Sequence, residues 1–236
     1  MSFHNNEPHT GDLAGRLNWL RAGVLGANDG IVSVAAIVVG VAGATSSVAP
    51  LITAGVAGLV GGAISMALGE YVSVSSQSDS QRALIEKERR ELAEMPDEEL
   101  AELAAIYESK GISAATAQQV AEELTRHDAL SAHLEAELGI TERDVVSPWQ
   151  AAGASALAFT IGGVLPLAAI LLAPEPIRVL ATFIAVLSAL VVTGALSARV
   201  GGNSWVRPTL RIVIGGALAL ATTFLIGTLL GTTGVV

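Results

Sequence analysis

Residues 22–44, AGVLGANDGIVSVAAIVVGVAGA, form an apolar run in which Asn28 and Asp29 are the most strongly polar residues. A helix needs about 20 apolar residues to cross a hydrocarbon core, so this run predicts a membrane helix. A charged side chain inside such a helix costs about 2.5–3.5 kcal/mol on insertion scales. Proteins that keep a carboxylate there generally use it to handle a cation or a proton. Asp29 therefore indicates transport.

Four further stretches of membrane-spanning length follow, and none of the four contains Lys, Arg, Asp, Glu or His. They cover residues 48–69, 149–173, 179–198 and 212–236. Hydrophobic residues make up 51% of the chain and charged residues 15%, which is the composition of a membrane protein. The sequence therefore predicts an all-α integral membrane protein with five transmembrane helices.

The charge of the chain is concentrated between the second and third apolar stretches. Residues 79–144 carry 17 acidic and 7 basic side chains, whereas the rest of the chain carries 5 acidic and 6 basic ones. Such a segment predicts a soluble insert whose partners are cations rather than nucleic acid. We therefore divide the chain into 1–78 with helices 1 and 2, an acidic metal-binding domain over 79–146, and 147–236 with helices 3 to 5.

The distribution of basic residues predicts the orientation in the membrane. Lys and Arg gather before the first helix, around the insert and between the last two helices. By the positive-inside rule, the N-terminus and the acidic domain face the cytoplasm. The first apolar run is too long for the core of a signal peptide, so we expect it to remain as a helix. The short N-terminal segment before it leads us to expect a bacterial inner membrane.

The acidic insert should consist of three helices. No turn signal occurs between Glu70 and Pro96, so the second membrane helix is expected to continue out of the bilayer to the end of that interval. Pro96 then opens a second cytoplasmic helix, which Gly111 closes. Ser113 is the expected N-cap of a third helix that runs to Leu138 and is closed by Gly139.

Three pairs of potential metal ligands lie on these helices. Each pair is spaced i,i+3 or i,i+4, which places both side chains on one helix face. The pairs are Glu88 with Glu91, Glu99 with Glu102, and His133 with Glu137. Carboxylates and histidine on facing helices are the ligands with which helical bundles hold iron or manganese. The competing interpretation is a solvated face with salt bridges, and spacing alone favours it.

A second candidate site lies in the membrane helices. Met66 and Glu70 are four residues apart on one face of the second helix. Because that helix runs opposite to the first, both are expected in the cytoplasmic half, which also holds Asp29. A carboxylate with a thioether suits a first-row transition ion better than Mg²⁺ or Ca²⁺. Alternatively, Met66 fills the core and Glu70 marks the membrane boundary.

Three motifs occur together in this chain: NDGIV at 28–32, AISMALGEYVSV at 63–74 and PWQAA at 148–152. In combination they resemble the vacuolar iron transporter family, from about Leu17 onward. The resemblance implies a homodimer of five-helix subunits that exports Fe²⁺, and sometimes Mn²⁺, from the cytoplasm as a proton antiporter. It also implies that the soluble insert binds metal and supplies the membrane pathway.

The resemblance also assigns roles to individual residues. It implies that Asp29 is the ion and proton site in the membrane and that Met66 is the selective ligand. The two Glu-x-x-Glu pairs of the insert match the metal-binding pattern of the family, which reverses the preference for salt bridges. The later Met-Met-x-x-Glu element matches at Glu137, but His133 and Leu134 replace its methionines. Binding by His133 would give a harder N/O site.

The expected activity is therefore transport and not an enzymatic reaction. The partners are divalent metal ions, protons, membrane lipid and a second copy of the chain, and no resident cofactor is expected. A membrane-anchored di-iron ferroxidase and a metal-buffering protein without transport are the alternatives. The ferroxidase is disfavoured because the insert lacks two clear Glu-x-x-His motifs and because an anchor has no use for Asp29.

Overall fold

The computed structural model describes residues 13–141, 147–200 and 204–233, with side chains from residue 22 onward. Within these ranges the chain forms α-helices joined by short connections, and no strand occurs. The helices are α1 (Leu13–Ala44), α2 (Val48–Glu94), α3 (Pro96–Ser109), α4 (Ala114–His133), α5 (Pro148–Leu172), α6 (Arg178–Val200) and α7 (Val206–Thr232). A π-helical turn at Leu134–Leu138 follows α4. Residues 1–12, part of the N-terminal segment expected to face the cytoplasm, and Val236, the last residue of the fifth apolar stretch, lie outside the described residues.

Five of these helices are long and apolar enough to cross a membrane: α1, α2, α5, α6 and α7. This confirms the predicted all-α protein with five membrane-length helices. As predicted, α2 continues far beyond its apolar part, as far as Glu94, and Pro96 begins the next helix. Helix α5 begins at Pro148, where proline is tolerated because the first helical N–H has no partner within the helix.

The chain forms two compact units. We call Val72–Pro148 the acidic unit; the membrane unit contains Leu17–Tyr71 and Trp149–Val236. In the membrane unit, α1 is the central helix, because residues on its different faces belong to two buried apolar clusters. One joins α1 to α6 and α7 through Ile31, Ala35, Val39, Val186, Leu190 and Leu220. The other joins α1 to α2 and α5 through Val34, Val38, Leu51, Phe159 and Ile170.

Small residues allow α1 and α5 to approach closely. A Cβ at Gly26 would lie 2.8 Å from the carbonyl oxygen of Ser155, and one at Gly30 would collide with the backbone of Phe159. In lipid, where the hydrophobic effect does not drive helices together, such close contacts are a main source of association. The helix that carries Asp29 is therefore held firmly against α5.

In the acidic unit, α3 and α4 pack through an apolar contact centred on Leu103, Ala104 and Ala121. Ser113 caps α4 as predicted: its hydroxyl oxygen accepts a hydrogen bond from the backbone N–H of Thr116 at 3.3 Å. The helix also closes at a glycine, since Gly139 adopts the left-handed conformation with φ of 63°.

The predicted third helix has the expected start and end, but it is not continuous. Asp128 leaves the helical conformation, with φ −162° and ψ 92°, and the last turn at Leu134–Leu138 is π-helical. The break has a local cause, because the Asp128 carboxylate accepts a hydrogen bond from the N–H of Ser131 at 3.0 Å. A short acidic side chain that bonds the backbone in this way competes with the helix it interrupts.

Candidate metal centre

Three side chains from three helices converge inside the acidic unit: Glu88 of α2, Glu99 of α3 and His133 of α4. One ligand atom of each lies within 4.8 Å of the others. The Nδ1 atom of His133 is 3.0 Å from a carboxylate oxygen of Glu88 and 3.5 Å from one of Glu99. The three residues are only 3%, 6% and 0% exposed, respectively. We call this group the buried triad.

Local sequence patterns direct each member of the triad inward. Glu88 follows Ile85 by three residues on the buried face of α2. Glu99 lies in the first turn of α3, four residues before the fully buried Leu103. His133 precedes Leu134, which is also fully buried. The apolar neighbours therefore fix the direction of the three polar side chains.

The facing atoms of the triad are not satisfied by hydrogen bonds. Within the described part of the chain, both ring nitrogens of His133 and one carboxylate oxygen of Glu88 are buried without a hydrogen-bond partner. The 3.0 Å contact between Glu88 and His133 is thus close in distance but not aligned as a hydrogen bond. Burying such atoms without a partner is costly. A metal ion bound with metal–ligand bonds of about 2.0–2.2 Å would hold neighbouring ligand atoms at distances from one another similar to the 3.0 Å and 3.5 Å contacts of the triad.

Burial and like charge alter the protonation of the triad. Burial, with the charges of Glu137 and Glu99, raises the pKa of Glu88 to about 7. Burial also raises the pKa of Glu99, with a further contribution from Glu102. The pKa of His133 is lowered by burial, against the opposing effect of nearby carboxylates. Without metal the centre therefore favours protonated carboxyls and a neutral imidazole.

The other three predicted ligands of the insert contribute through their charges to the pKa shifts of the triad, but they are more exposed than its members. Glu91 is half-buried and accepts an ion-paired hydrogen bond from Lys87 at 2.7 Å, whereas Glu102 and Glu137 are exposed. Arg89 pairs with Glu86 on the outer surface of the same helix. The salt-bridge interpretation therefore describes the outer face of α2, while Glu88 points inward.

The membrane candidates lie in the other unit. Asp29 accepts a hydrogen bond from the hydroxyl of Ser33 at 2.6 Å. Its neighbour Asn28 accepts one from the hydroxyl of Thr193 at 2.6 Å, which links α1 to α6. Met66 is partly buried and packs against the apolar cluster that contains Phe159. The remaining candidate, Glu70, is half-buried on α2.

Sequence reasoning missed three polar residues beside these sites: Ser33, Thr193 and Asp128. Ser33 carries a usable signal, because it is four residues after Asp29 on the same helix face. Asp128 is a residue type that commonly caps helices. Thr193 has no local signal, since its partner is 165 positions away in the sequence.

Comparison with known proteins agrees with the motifs. The model of the VIT family matches residues 20–228. The vacuolar iron transporter of Acanthamoeba castellanii is 41% identical over 224 residues, covering 94% of this chain and 82% of the relative. Vacuolar iron transporter homolog 2 of Arabidopsis thaliana is 36% identical over 229 residues, covering 97% and 92%. These relatives are named as transporters and not as enzymes. The chain belongs to the vacuolar iron transporter family.

Proposed function

We propose that this protein is a homodimeric, proton-coupled exporter of Fe²⁺ from the cytoplasm, with Mn²⁺ as the leading alternative ion. The observation that carries the proposal is the pairing of two features in one chain. One is the buried triad, with its unpartnered ligand atoms. The other is Asp29, a carboxylate inside a membrane-length helix. Iron as the cargo is supported by the names of the relatives.

The buried triad would serve as the cytoplasmic metal receptor. Two carboxylates and one imidazole are ligands that Fe²⁺ and Mn²⁺ accept, whereas Cu(I) prefers thiolate and thioether ligands. His133 would supply the nitrogen ligand at a position where the family pattern has methionine. Glu91, Glu102 and Glu137 would add outer carboxylates that attract cations to the centre.

Asp29 would couple the ion to the proton. A carboxylate ligand must lose its proton to bind a metal, so metal and proton compete for the same oxygen atoms. If the empty carrier returns only with Asp29 protonated, each cycle exchanges metal for proton. Met66 would be the selective ligand of this membrane site, and Glu70 a second group that titrates.

The exposure of α1 supports the homodimer. Asp29 is partly buried and is four residues after Leu25, which is 56% exposed. Leu25 and Asp29 are one turn apart on the same face of the helix, and a single chain leaves that face partly uncovered. A carboxylate turned toward hydrocarbon is unfavourable. A second copy covering this side would remove the cost and enclose the ion site.

Transport by the purified protein in liposomes tests the proposal. We expect ⁵⁵Fe²⁺ to enter protein-containing vesicles under anaerobic conditions, and competition by unlabelled Mn²⁺, Co²⁺ and Zn²⁺ measures the selectivity. Aerobic oxidation of Fe²⁺ without uptake would instead indicate the ferroxidase. Binding without either uptake or oxidation would indicate a metal buffer, so either result would reject the exporter.

The orientation leads to a labelling prediction. The chain has no natural cysteine, so single cysteines can be introduced by Ser109→Cys in the acidic unit and by Val236→Cys at the C-terminus. With five spans and the acidic unit in the cytoplasm, a membrane-impermeant maleimide should label the two positions from opposite sides. Labelling of both from the same side would reject this topology.

Metal binding to the acidic unit should release protons. Because the pKa of Glu88 is raised to about 7, this carboxyl is largely protonated below neutral pH and metal must displace its proton. Apparent affinity should therefore rise with pH through 7, by about tenfold per pH unit for each proton displaced below the pKa. Calorimetry in buffers of different ionisation enthalpy counts the protons.

The exposed Glu122, which accepts a hydrogen bond from Gln118, provides the control for this measurement. The Glu122→Gln variant should release as many protons as the parent, because this carboxylate lies outside the triad. Affinity that is independent of pH between 6 and 8 in the parent would contradict the assignment of Glu88 as a ligand.

A further inference from the structure

The break in α4 separates a short, independently capped helical segment from the rest of the helix. This segment, residues 129–138, contains both His133 and Glu137. At its start, Asp128 is extended and its carboxylate accepts the N–H of Ser131 at 3.0 Å, three residues on. That is the geometry of an N-cap, in which a side-chain oxygen satisfies an N–H without a helical partner. The negative charge also suits the positive end of the segment.

The other end of the segment is closed as well. The N–H of Ile140 donates to the carbonyl of Leu134 at 3.0 Å, and Gly139 takes the left-handed conformation that this closure requires. Between the two caps, His133 and Leu134 are both 0% exposed. The orientation of the segment therefore decides where the imidazole meets Glu88 and Glu99.

We propose that Asp128 is a positioning residue for the metal centre: by capping the segment 129–138 it holds His133 against Glu88 and Glu99. The inference rests on the proposed metal-receptor function of the triad. If α4 were uninterrupted, residues 129–138 would continue along the axis of its first part. Their side chains would then point in different directions around that axis. The break instead begins a new segment with its own direction, and that segment brings the imidazole to the carboxylates. Groups that orient metal ligands are worth about 10–100-fold in metal affinity.

The chain offers a matched control at the opposite end of the same helix. Ser113 caps α4 by the same kind of bond, from the N–H three residues on, but it is 20 positions away from His133 in the sequence. Replacing either residue by Ala removes one cap from α4. Only the change at Asp128 should disturb the imidazole. Asp128→Asn retains an oxygen acceptor and should preserve the cap.

The test uses the full-length protein in detergent micelles. Anaerobic calorimetry with Fe²⁺ measures affinity, and the visible absorption of bound Co²⁺ reports the ligand geometry. We expect Asp128→Ala to weaken the tightest site by about 10–100-fold and to change the Co²⁺ spectrum. Asp128→Asn and Ser113→Ala should stay within about threefold of the parent and keep its spectrum. Asp128→Gly, which costs an N-cap position little stability, should behave like Asp128→Ala if the latter fails to fold.

Two results would overturn the inference. One is parental affinity and spectrum in whichever of Asp128→Ala and Asp128→Gly folds; the other is an equal loss of affinity in Ser113→Ala. In these cases the parent still binds metal, so the proposed receptor function survives. A parent protein that binds no metal in the acidic unit would remove both the receptor and the role of Asp128.

Discussion

Asp29→Asn is expected to remove nearly all Fe²⁺ flux and Fe²⁺-driven proton movement in liposomes while leaving the protein folded. Asparagine has nearly the same shape and retains an oxygen that can accept the hydrogen bond from Ser33. It cannot ionise, so it provides neither the charge that binds the cation nor the proton that is exchanged. Removing the carboxylate that pairs with the cation in a buried site costs about 2–5 kcal/mol of binding free energy, so flux should fall by roughly 100-fold. Isotope uptake and an internal pH dye measure the two movements.

Two further variants show whether this effect belongs to the carboxylate. Ser33→Ala removes the hydrogen-bond donor but keeps the charge, so it should retain most of the flux. Glu70→Gln should weaken the coupling less completely than Asp29→Asn, because we assign it the secondary titrating role. Parental uptake by the Asp29→Asn protein in the presence of a pH gradient would remove Asp29 from the mechanism.

The double variant Glu88→Gln with Glu99→Gln should lose the tight metal site of the acidic unit. Both carboxylates are buried members of the triad that we propose binds the metal, so affinity measured by calorimetry should fall by at least about 100-fold. The helices should remain folded, because glutamine keeps the shape of each side chain and is uncharged, like the protonated carboxyls that burial favours here. Circular dichroism checks the fold of the apo-protein.

A matched double variant separates the triad from its acidic surroundings. Glu91→Gln with Glu102→Gln removes the same formal charge from residues that are half-buried and exposed. We expect it to lower metal affinity by no more than about tenfold, since these side chains act mainly through their field. Equal losses in the two double variants would show that net charge, and not the buried geometry, binds the metal.

The pH dependence of apo-protein stability provides an independent check on Glu88. Its pKa is raised from 4.5 to about 7, so the folded unit holds this proton more firmly than the unfolded chain. The contribution of Glu88 to stability is therefore greatest at low pH and declines as pH rises from about 4.5 to 7. This decline should be smaller in the double variant that lacks Glu88 and Glu99.

Local signals predicted the features of the fold that depend on neighbouring residues. Apolar runs of sufficient length predicted the five membrane helices, and the absence of turn signals before Pro96 predicted the long continuation of α2. Ser113 was recognisable as a cap because its side chain and its position before a helical pattern suffice. Asp128 was overlooked because residues that favour helices lie on both sides of it, and they conceal a cap in the sequence.

The arrangement of the site depends on tertiary packing and was only partly accessible. Spacing indicates that Glu88 and Glu91 share a helix face, but it does not decide which of them is buried. Packing of the other helices decides this, so Glu88 joins His133 while Glu91 pairs with Lys87. The bond between Asn28 and Thr193 joins helices far apart in the sequence, and no local pattern indicates it.

The most direct test of the exchange mechanism is to measure Fe²⁺ and protons together in the same vesicles. Proteoliposomes with an acidic interior should accumulate ⁵⁵Fe²⁺ against its concentration gradient, and their internal pH should rise as the metal enters. Collapse of the pH gradient with a protonophore should stop the accumulation but not passive equilibration. Fe²⁺ accumulation that is the same with and without the pH gradient, with no change in internal pH, would contradict proton-coupled export.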